Sequence, residues 1–172
     1  MLFRSWPLDI YKVFKQVGIR QIAYVPDAGH TQLIKSCHAD KTMRAVSLTT
    51  EEEGVAMMAG AWLGGDRGAL LMQSSGVGNC INMFGTIREC RFPLLTLVTM
   101  RGEWGEFNPW QLPMGQSTPA ALQNAGLVVQ RVDDKALVGE TVFAAANMAF
   151  QTNRAVAVLI GQRVVGFKDW SK

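Results

Sequence analysis

The chain has 172 residues, about the size of one domain, and 48% of them are hydrophobic against 18% charged, which excludes an intrinsically disordered protein. Lys and Arg number 17 against 14 Asp and Glu, a net charge of +3. The basic residues are scattered from Arg4 to Lys172 with no run to track phosphates, so nucleic-acid binding is not expected. Pro7 after Ser5-Trp6 marks a helix start, and Leu8, Tyr11, Val13, Phe14 and Val17 recur at helical spacing up to Gly18. Residues 21–25 read as a short strand stopped by Pro26-Asp27, residues 31–38 as a helix and residues 44–48 as a second strand. Thr50 with Glu53 three residues on matches a capping box, and a small-residue helix follows over 51–63. Residues 69–73 form a third strand, broken by Ser75-Gly76-Val77-Gly78, and a helix then runs to about Cys90. Residues 93–98 are the fourth strand, and 101–117 read as a loop. A helix over 118–125, a strand over 127–132, a helix over 134–153 and a strand over 155–160 complete the chain.

The strands are continuous apolar runs, the pattern of a sheet buried on both faces. Their alternation with helices through short links predicts one α/β domain over residues 1–172, a doubly wound, mainly parallel six-stranded sheet with helices on both faces. Ligands gather at the carboxyl ends of such strands. The loops expected there are 26–30, 49–51, 73–76 and the segment after Met100. The apolar-rich uncharged stretch Gly68 to Ile87 contains Gln73, Ser74, Ser75, Asn79 and Asn82 and does not suit hydrocarbon. Residues Met1 to Pro7 lack a basic-then-apolar leader pattern. Cys37, Cys80 and Cys90 form no CxxC pair, and only His30 and His38 stand beside them, so neither a disulfide framework nor a structural zinc site is expected. These features point to a reduced, soluble, cytoplasmic domain.

Glu51-Glu52-Glu53 opens a helix directly after a strand. Acids there complement the helix dipole, yet one suffices for a cap. The segment Gly54-Val55-Ala56-Met57-Met58-Ala59-Gly60-Ala61 behind them packs closely against something, which would put an acid at its mouth in a low-dielectric place. Ser74-Ser75-Gly76-Val77-Gly78-Asn79 reads either as a turn that lets a ligand approach backbone N–H groups or as a close-packed turn. It lacks the third Gly of a dinucleotide fingerprint. Gly64-Gly65-Asp66-Arg67-Gly68 precedes a strand and reads as a solvent-facing turn. His30 shares the first loop with Asp27, as a surface residue or an acid/base. No GxSxG is present. Arg101 stands at the end of the fourth strand, placed to meet a carboxylate, and Trp104, Phe107 and Trp110 make its loop a binding or partner-covered segment.

Taken together, Thr50-Glu51-Glu52-Glu53-Gly54-Val55-Ala56-Met57-Met58-Ala59-Gly60-Ala61 and Leu71-Met72-Gln73-Ser74-Ser75-Gly76-Val77-Gly78-Asn79-Cys80-Ile81-Asn82 resemble the pyrimidine-binding domain of thiamine diphosphate enzymes. Val25-Pro26-Asp27 and Arg101-Gly102-Glu103 extend the resemblance, which is closest to sulfopyruvate decarboxylase alpha subunits and phosphonopyruvate decarboxylases. It implies a thiamine diphosphate-binding fold and a catalytic glutamate nine residues before Gly60, which is Glu51. Such a glutamate hydrogen-bonds the aminopyrimidine and promotes loss of the thiazolium C2 proton. The resemblance further implies cofactor contacts at Pro26, Glu51, Gln73, Ser75, Gly76, Gly78 and Asn79, and substrate contacts at Asp27, His30 and Arg101. In the family a GDG motif and a later Asn hold diphosphate and Mg2+. This sequence has neither in place, so the resemblance implies a separate partner subunit that carries them, in an α2β2 or larger hetero-oligomer. The expected activity is 2-oxo-acid decarboxylation of the sulfopyruvate type. The alternatives are a carboligase or lyase using the same cofactor half, a flavodoxin-like nucleotide-binding module, and a regulatory subunit. Residues 109–116 carry no base, and the aromatic loop suits a less anionic substrate equally well.

Overall fold

The computed structural model describes residues 5–166; the leader reading over Met1 to Arg4 lies outside them. The apolar runs become six parallel strands, β1 (Ile19–Tyr24), β2 (Arg44–Ser47), β3 (Arg67–Gln73), β4 (Leu94–Thr99), β5 (Val128–Val132) and β6 (Ala155–Ile160). They lie in the order β2-β1-β3-β4-β6-β5. Seven helices connect them among the described residues: α1 (Trp6–Gln16), α2 (Thr31–Ala39), α3 (Glu51–Leu63), α4 (Ser74–Cys90), α5 (Leu112–Asn124), α6 (Val138–Thr152) and the short α7 (Gln162–Val165).

Successive strand residues point to opposite faces, and both faces are covered, which is why the strands are apolar throughout. Leu71, Leu97 and Val158 pack beneath α1, α2 and α6 with Ile10, Phe14, Leu33, Val142 and Ala146. Leu70, Met72, Val98 and Leu159 pack beneath α3, α4 and α5 with Val55, Met58, Val77, Phe84 and Leu122. The close packing expected of the small-residue helix is made at Gly54, where a β-carbon would collide with the Leu70 and Leu48 side chains.

Two local expectations change. The segment 101–117 is not all loop: a 3-10 turn over Pro109–Gln111 runs into α5, which begins at Leu112, six residues before the expected start at 118. Pro113 falls in the first turn, where the missing N–H has no intrahelical partner to lose. The last long helix begins at Val138 rather than 134, because Asp134 caps a 3-10 turn over Lys135–Leu137 by accepting from the Ala136 N–H at 2.8 Å. No helix of the described residues is long and apolar enough to cross a membrane.

The strand order reverses between β1 and β3. From β1 the chain passes outward to β2, and from β3 it passes the other way to β4. The carboxyl ends of β1 and β3 therefore flank the crevice where a sheet of this kind receives ligands.

Candidate active site

Glu51 is the first residue of α3, and although acids at helix starts are usually solvated, only 7% of it is exposed. Its Oε2 accepts a hydrogen bond from Asn79 Nδ2 at 2.8 Å, while Oε1 has no hydrogen-bond partner among the described residues. The carboxyl lies against Gly76 so closely that a β-carbon there would collide with it. The expected capping box does not form. Thr50 makes no side-chain cap, and Glu53 Oε2 accepts from the Thr49 N–H at 3.0 Å. Glu53 thus reaches back to the backbone ahead of the helix, while Glu51 turns to Asn79.

The glycine-containing segment after β3 is not a turn. α4 begins at Ser74, immediately after β3, so Gly76 and Gly78 are helical. Of the two readings, the close-packed one holds for Gly76, whose missing side chain makes room for Glu51. Gly78 approaches α5, where its β-carbon would meet Met114 Sδ at 3.3 Å. Gln73 and Ser75 are half-buried at the strand–helix junction, Asn79 is exposed on α4, and Pro26 is exposed after β1. Ser74 is fully buried and structural: its Oγ accepts from the Arg101 N–H at 3.1 Å, and its carbonyl accepts from Thr118 Oγ1 at 3.2 Å.

Asp27 is buried, and its Oδ2 accepts from Thr99 Oγ1 at 2.6 Å, joining the end of β1 to the end of β4. Thr99 is a site residue that no motif signalled; its contact spans 72 positions in sequence and arises only from strand order. The surface reading of His30 is overturned, since the residue is fully buried. Its Nε2 lies 3.2 Å from the Leu97 carbonyl and donates to it, which fixes the tautomer and leaves Nδ1 without a partner. Burial lowers the His30 pKa from its ordinary 6.5, against the nearby Asp27 charge, so the ring is neutral.

Arg101 meets a carboxylate from its own loop, with Nε donating to Glu106 Oε2 at 3.1 Å. Its two Nη groups make no hydrogen bond among the described residues. Trp104, Phe107 and Trp110 are 38, 47 and 87% exposed around it. Of the Gly64–Gly68 segment, Gly64 and Gly65 form the solvent-facing turn expected, whereas Arg67 and the buried Gly68 already belong to β3; Asp66 between them accepts from Gln21 Nε2 at 3.0 Å, at the end of the sheet opposite the crevice.

Glu51, Gln73, Ser75, Gly76 and Asn79 thus gather where α3 and α4 start, Asp27 and His30 where β1 ends, and Arg101 just beyond β4. Residues 9–118 match the family described as thiamine pyrophosphate enzyme, N-terminal TPP binding domain. Sulfopyruvate decarboxylase subunit alpha of Methanothermobacter thermautotrophicus is 32% identical over 152 residues, covering 88% of this chain and 92% of its own. The protein of the same name from Methanococcus maripaludis is 36% identical over 115 residues, 66% of this chain and 69% of its own. Phosphonopyruvate decarboxylase of Streptomyces viridochromogenes is 34% identical over 139 residues, which are 80% of this chain but 35% of that longer protein. Among solved structures, 2-oxoglutarate:ferredoxin oxidoreductase from Magnetococcus marinus superposes with a TM-score of 0.77 over 95% of this chain and 29% of its own, at 16% identity, which shows a shared fold. With residues 9–118 matched and one relative aligned over nearly its whole length, the chain belongs to the thiamine pyrophosphate enzyme family and carries its N-terminal TPP-binding domain.

Proposed function

We propose that this chain is the pyrimidine-side subunit of a two-subunit thiamine diphosphate-dependent 2-oxo-acid decarboxylase of the sulfopyruvate type, located in the cytoplasm. The observation that carries this reading is Glu51: a buried carboxyl at the mouth of the crevice, one oxygen fixed by Asn79 and the other unpaired. That second oxygen keeps its acceptor capacity for a ligand in the crevice, and the aminopyrimidine of thiamine diphosphate offers such a partner. The site residues therefore fit the cofactor. Near full-length similarity to proteins named as alpha subunits supports the division of labour.

When bound, thiamine diphosphate supplies an electron sink for loss of CO2 from a 2-oxo acid. The protein's own groups do the rest. Glu51 Oε1 holds and exchanges a proton at the aminopyrimidine ring, while Asn79 and the space over Gly76 keep the carboxyl in place. Pro26, Gln73, Ser75 and Gly78 border the same crevice and complete the cofactor contacts. Arg101 meets the substrate carboxylate with the groups that Glu106 leaves unused. Asp27 and His30 shape the substrate side from beneath, the neutral His30 supporting the β1 loop rather than touching solvent. A partner subunit bearing GDG and a later Asn holds the diphosphate and Mg2+, and the two chains assemble as α2β2 or larger.

The test is Glu51→Gln in the assembled enzyme. Gln retains the size and can still accept from Asn79, but it cannot exchange the proton. Turnover is expected to fall by about a hundredfold or more, with cofactor affinity by calorimetry little changed. Near-normal turnover would overturn the reading. Product analysis separates decarboxylation, which releases free aldehyde, from carboligation, which gives a 2-hydroxyketone.

A further inference from the structure

Besides Ser74, Gln116 and Arg131, one buried amide side chain ties the loop after β4 to the end of β6. Gln162 opens α7 just past the end of β6 and is fully buried. Its Oε1 accepts from the Glu103 and Trp104 N–H groups at 2.8 and 2.9 Å, and its Nε2 donates to Glu106 Oε2 at 3.0 Å. Its own backbone N–H donates to Glu103 Oε2 at 3.2 Å. The amide has one allowed orientation, because a flip would set its NH2 against two N–H donors and its carbonyl against a carboxylate.

Glu106 is the hub of this arrangement. Besides Gln162, its Oε2 accepts from Arg101 Nε and the Gly102 N–H, both at 3.1 Å, and its Oε1 accepts from the Asn108 N–H at 3.1 Å. The Arg101 and Glu106 side chains are only 9 and 2% exposed. The base of the loop is closed sterically as well. Gly102 has a φ of +73°, and a β-carbon there would collide with the Gln111 carbonyl; one at Gly115 would collide with the Arg101 carbonyl. Such a loop is preformed rather than ordered by a ligand.

We infer that Gln162 is a positioning residue for Arg101, holding the guanidinium through Glu106 so that its remaining N–H groups are set in advance for the substrate carboxylate. The inference rests on the decarboxylase reading, in which Arg101 meets that carboxylate. Gln162 touches neither substrate nor cofactor in this scheme; it acts on affinity by removing the need to order the loop on binding.

Two variants of the assembled enzyme test it, with amide exchange and steady-state kinetics as separate readouts. In Gln162→Leu, exchange over residues 101–108 should quicken about tenfold or more. The KM for the 2-oxo acid should rise about tenfold, the worth of one charge-assisted hydrogen bond, with kcat held within about threefold. Gln162→Glu is the gentler change: it keeps an acceptor for the two N–H groups but loses the donor to Glu106 and sets two carboxylates together. The charged groups facing that position are Glu103, Glu106 and Arg101 from the loop, Arg131 paired with Glu103 and Asp133 from the end of β5, and Arg163 over Trp104. Repulsion from Glu106 raises the pKa of the introduced carboxyl. Lowering the pH therefore protonates it, restores a donor, and should bring KM back toward the wild-type value. Faster exchange with an unchanged KM would make Gln162 a structural staple only, as would a KM raised equally at every pH in Gln162→Glu, and either result overturns the inference. A wild-type assembly that turns over no 2-oxo acid overturns the decarboxylase reading itself, a distinct result.

Discussion

Glu51 and Gly76 meet across two helices, and that contact makes opposite predictions from those of either residue alone. In a helix interior, Ala is more stabilising than Gly by about 0.5–1 kcal/mol. If Gly76 were only a permissive helical residue, Gly76→Ala would raise the thermal midpoint and spare activity. A β-carbon there would instead collide with the Glu51 carboxyl. The substitution is therefore expected to displace Glu51 from Asn79 and to cut turnover by about tenfold or more, with the far-UV spectrum unchanged. Full activity with a raised midpoint would show that Glu51 moves aside without consequence. Three consecutive acids opening an apolar helix exceed what capping needs, but only the family resemblance, counting back nine residues from Gly60, singled out Glu51 among them. The purpose of Gly76 was not legible in the sequence. Glycine between a strand and a helix suggests a turn, and only the start of α4 at Ser74 makes it a packing residue. Asp27–Thr99 and the burial of His30 were hidden for the same reason, being contacts between separate strand ends.

At the scale of elements, the loop after β4 and the helix behind it are where sequence patterns and structure part. Pro113, Gly115 and Pro119 lower the helical propensity of the segment enough to read as loop. α5 forms there because tertiary contacts outweigh propensity: Thr118 Oγ1 donates to the Ser74 carbonyl, and Gly115 lets the helix touch the Arg101 backbone. The loop's order also carries a pH dependence with a definite sign. Burial pushes the Glu106 carboxyl up, but the Asn108 N–H, the Arg101 guanidinium and the Gly102 N–H outweigh it and hold the pKa below its ordinary 4.5. Arg131 likewise holds Asp133 below its ordinary 3.8. A carboxyl with a depressed folded-state pKa stabilises the fold above its unfolded value, and the contribution disappears as pH falls through the folded value. Protection of the 101–108 amides should thus be constant from neutrality down to about pH 5 and be lost progressively below the ordinary carboxylate range. Exchange measured at matched intrinsic rates across that range checks it. Loss of protection on raising the pH instead would contradict the assignment of Glu106 as hub.

The whole molecule presents the Glu51 carboxyl at one end of a sheet that is otherwise sealed. Both faces of the sheet are covered by helices, an arrangement legible beforehand from uninterrupted apolar strands and their alternation with helices. That this chain encloses only part of the site was implied by the family resemblance, through the missing diphosphate motif, and not by the apolar pattern. Cavities of about 480 and 620 Å3 lie elsewhere, one among Phe84, Arg88, Arg91 and Arg154 at the amino ends of the strands, the other among Glu103, Trp104, Arg131 and Arg163. Glu51 lines neither, and its neighbours Gly78, Asn79, Ile81 and Asn82 on α4 are exposed. Small-molecule sites ordinarily bury most of the ligand's surface. A cofactor seated against Glu51 would be held on one side only, so the chain alone should bind thiamine diphosphate weakly. Binding to the folded state raises stability in proportion to the logarithm of ligand over Kd, about 2.7 kcal/mol at a hundredfold excess over Kd. The isolated chain should accordingly show little change in thermal midpoint with millimolar thiamine diphosphate and Mg2+. The same addition to the chain with its partner should raise the midpoint by several degrees, and Glu51→Leu should reduce that rise. A large cofactor-dependent shift in the isolated chain would mean that one subunit, or a homo-oligomer of it, builds the entire site, and the two-subunit proposal would fall while the role of Glu51 stood.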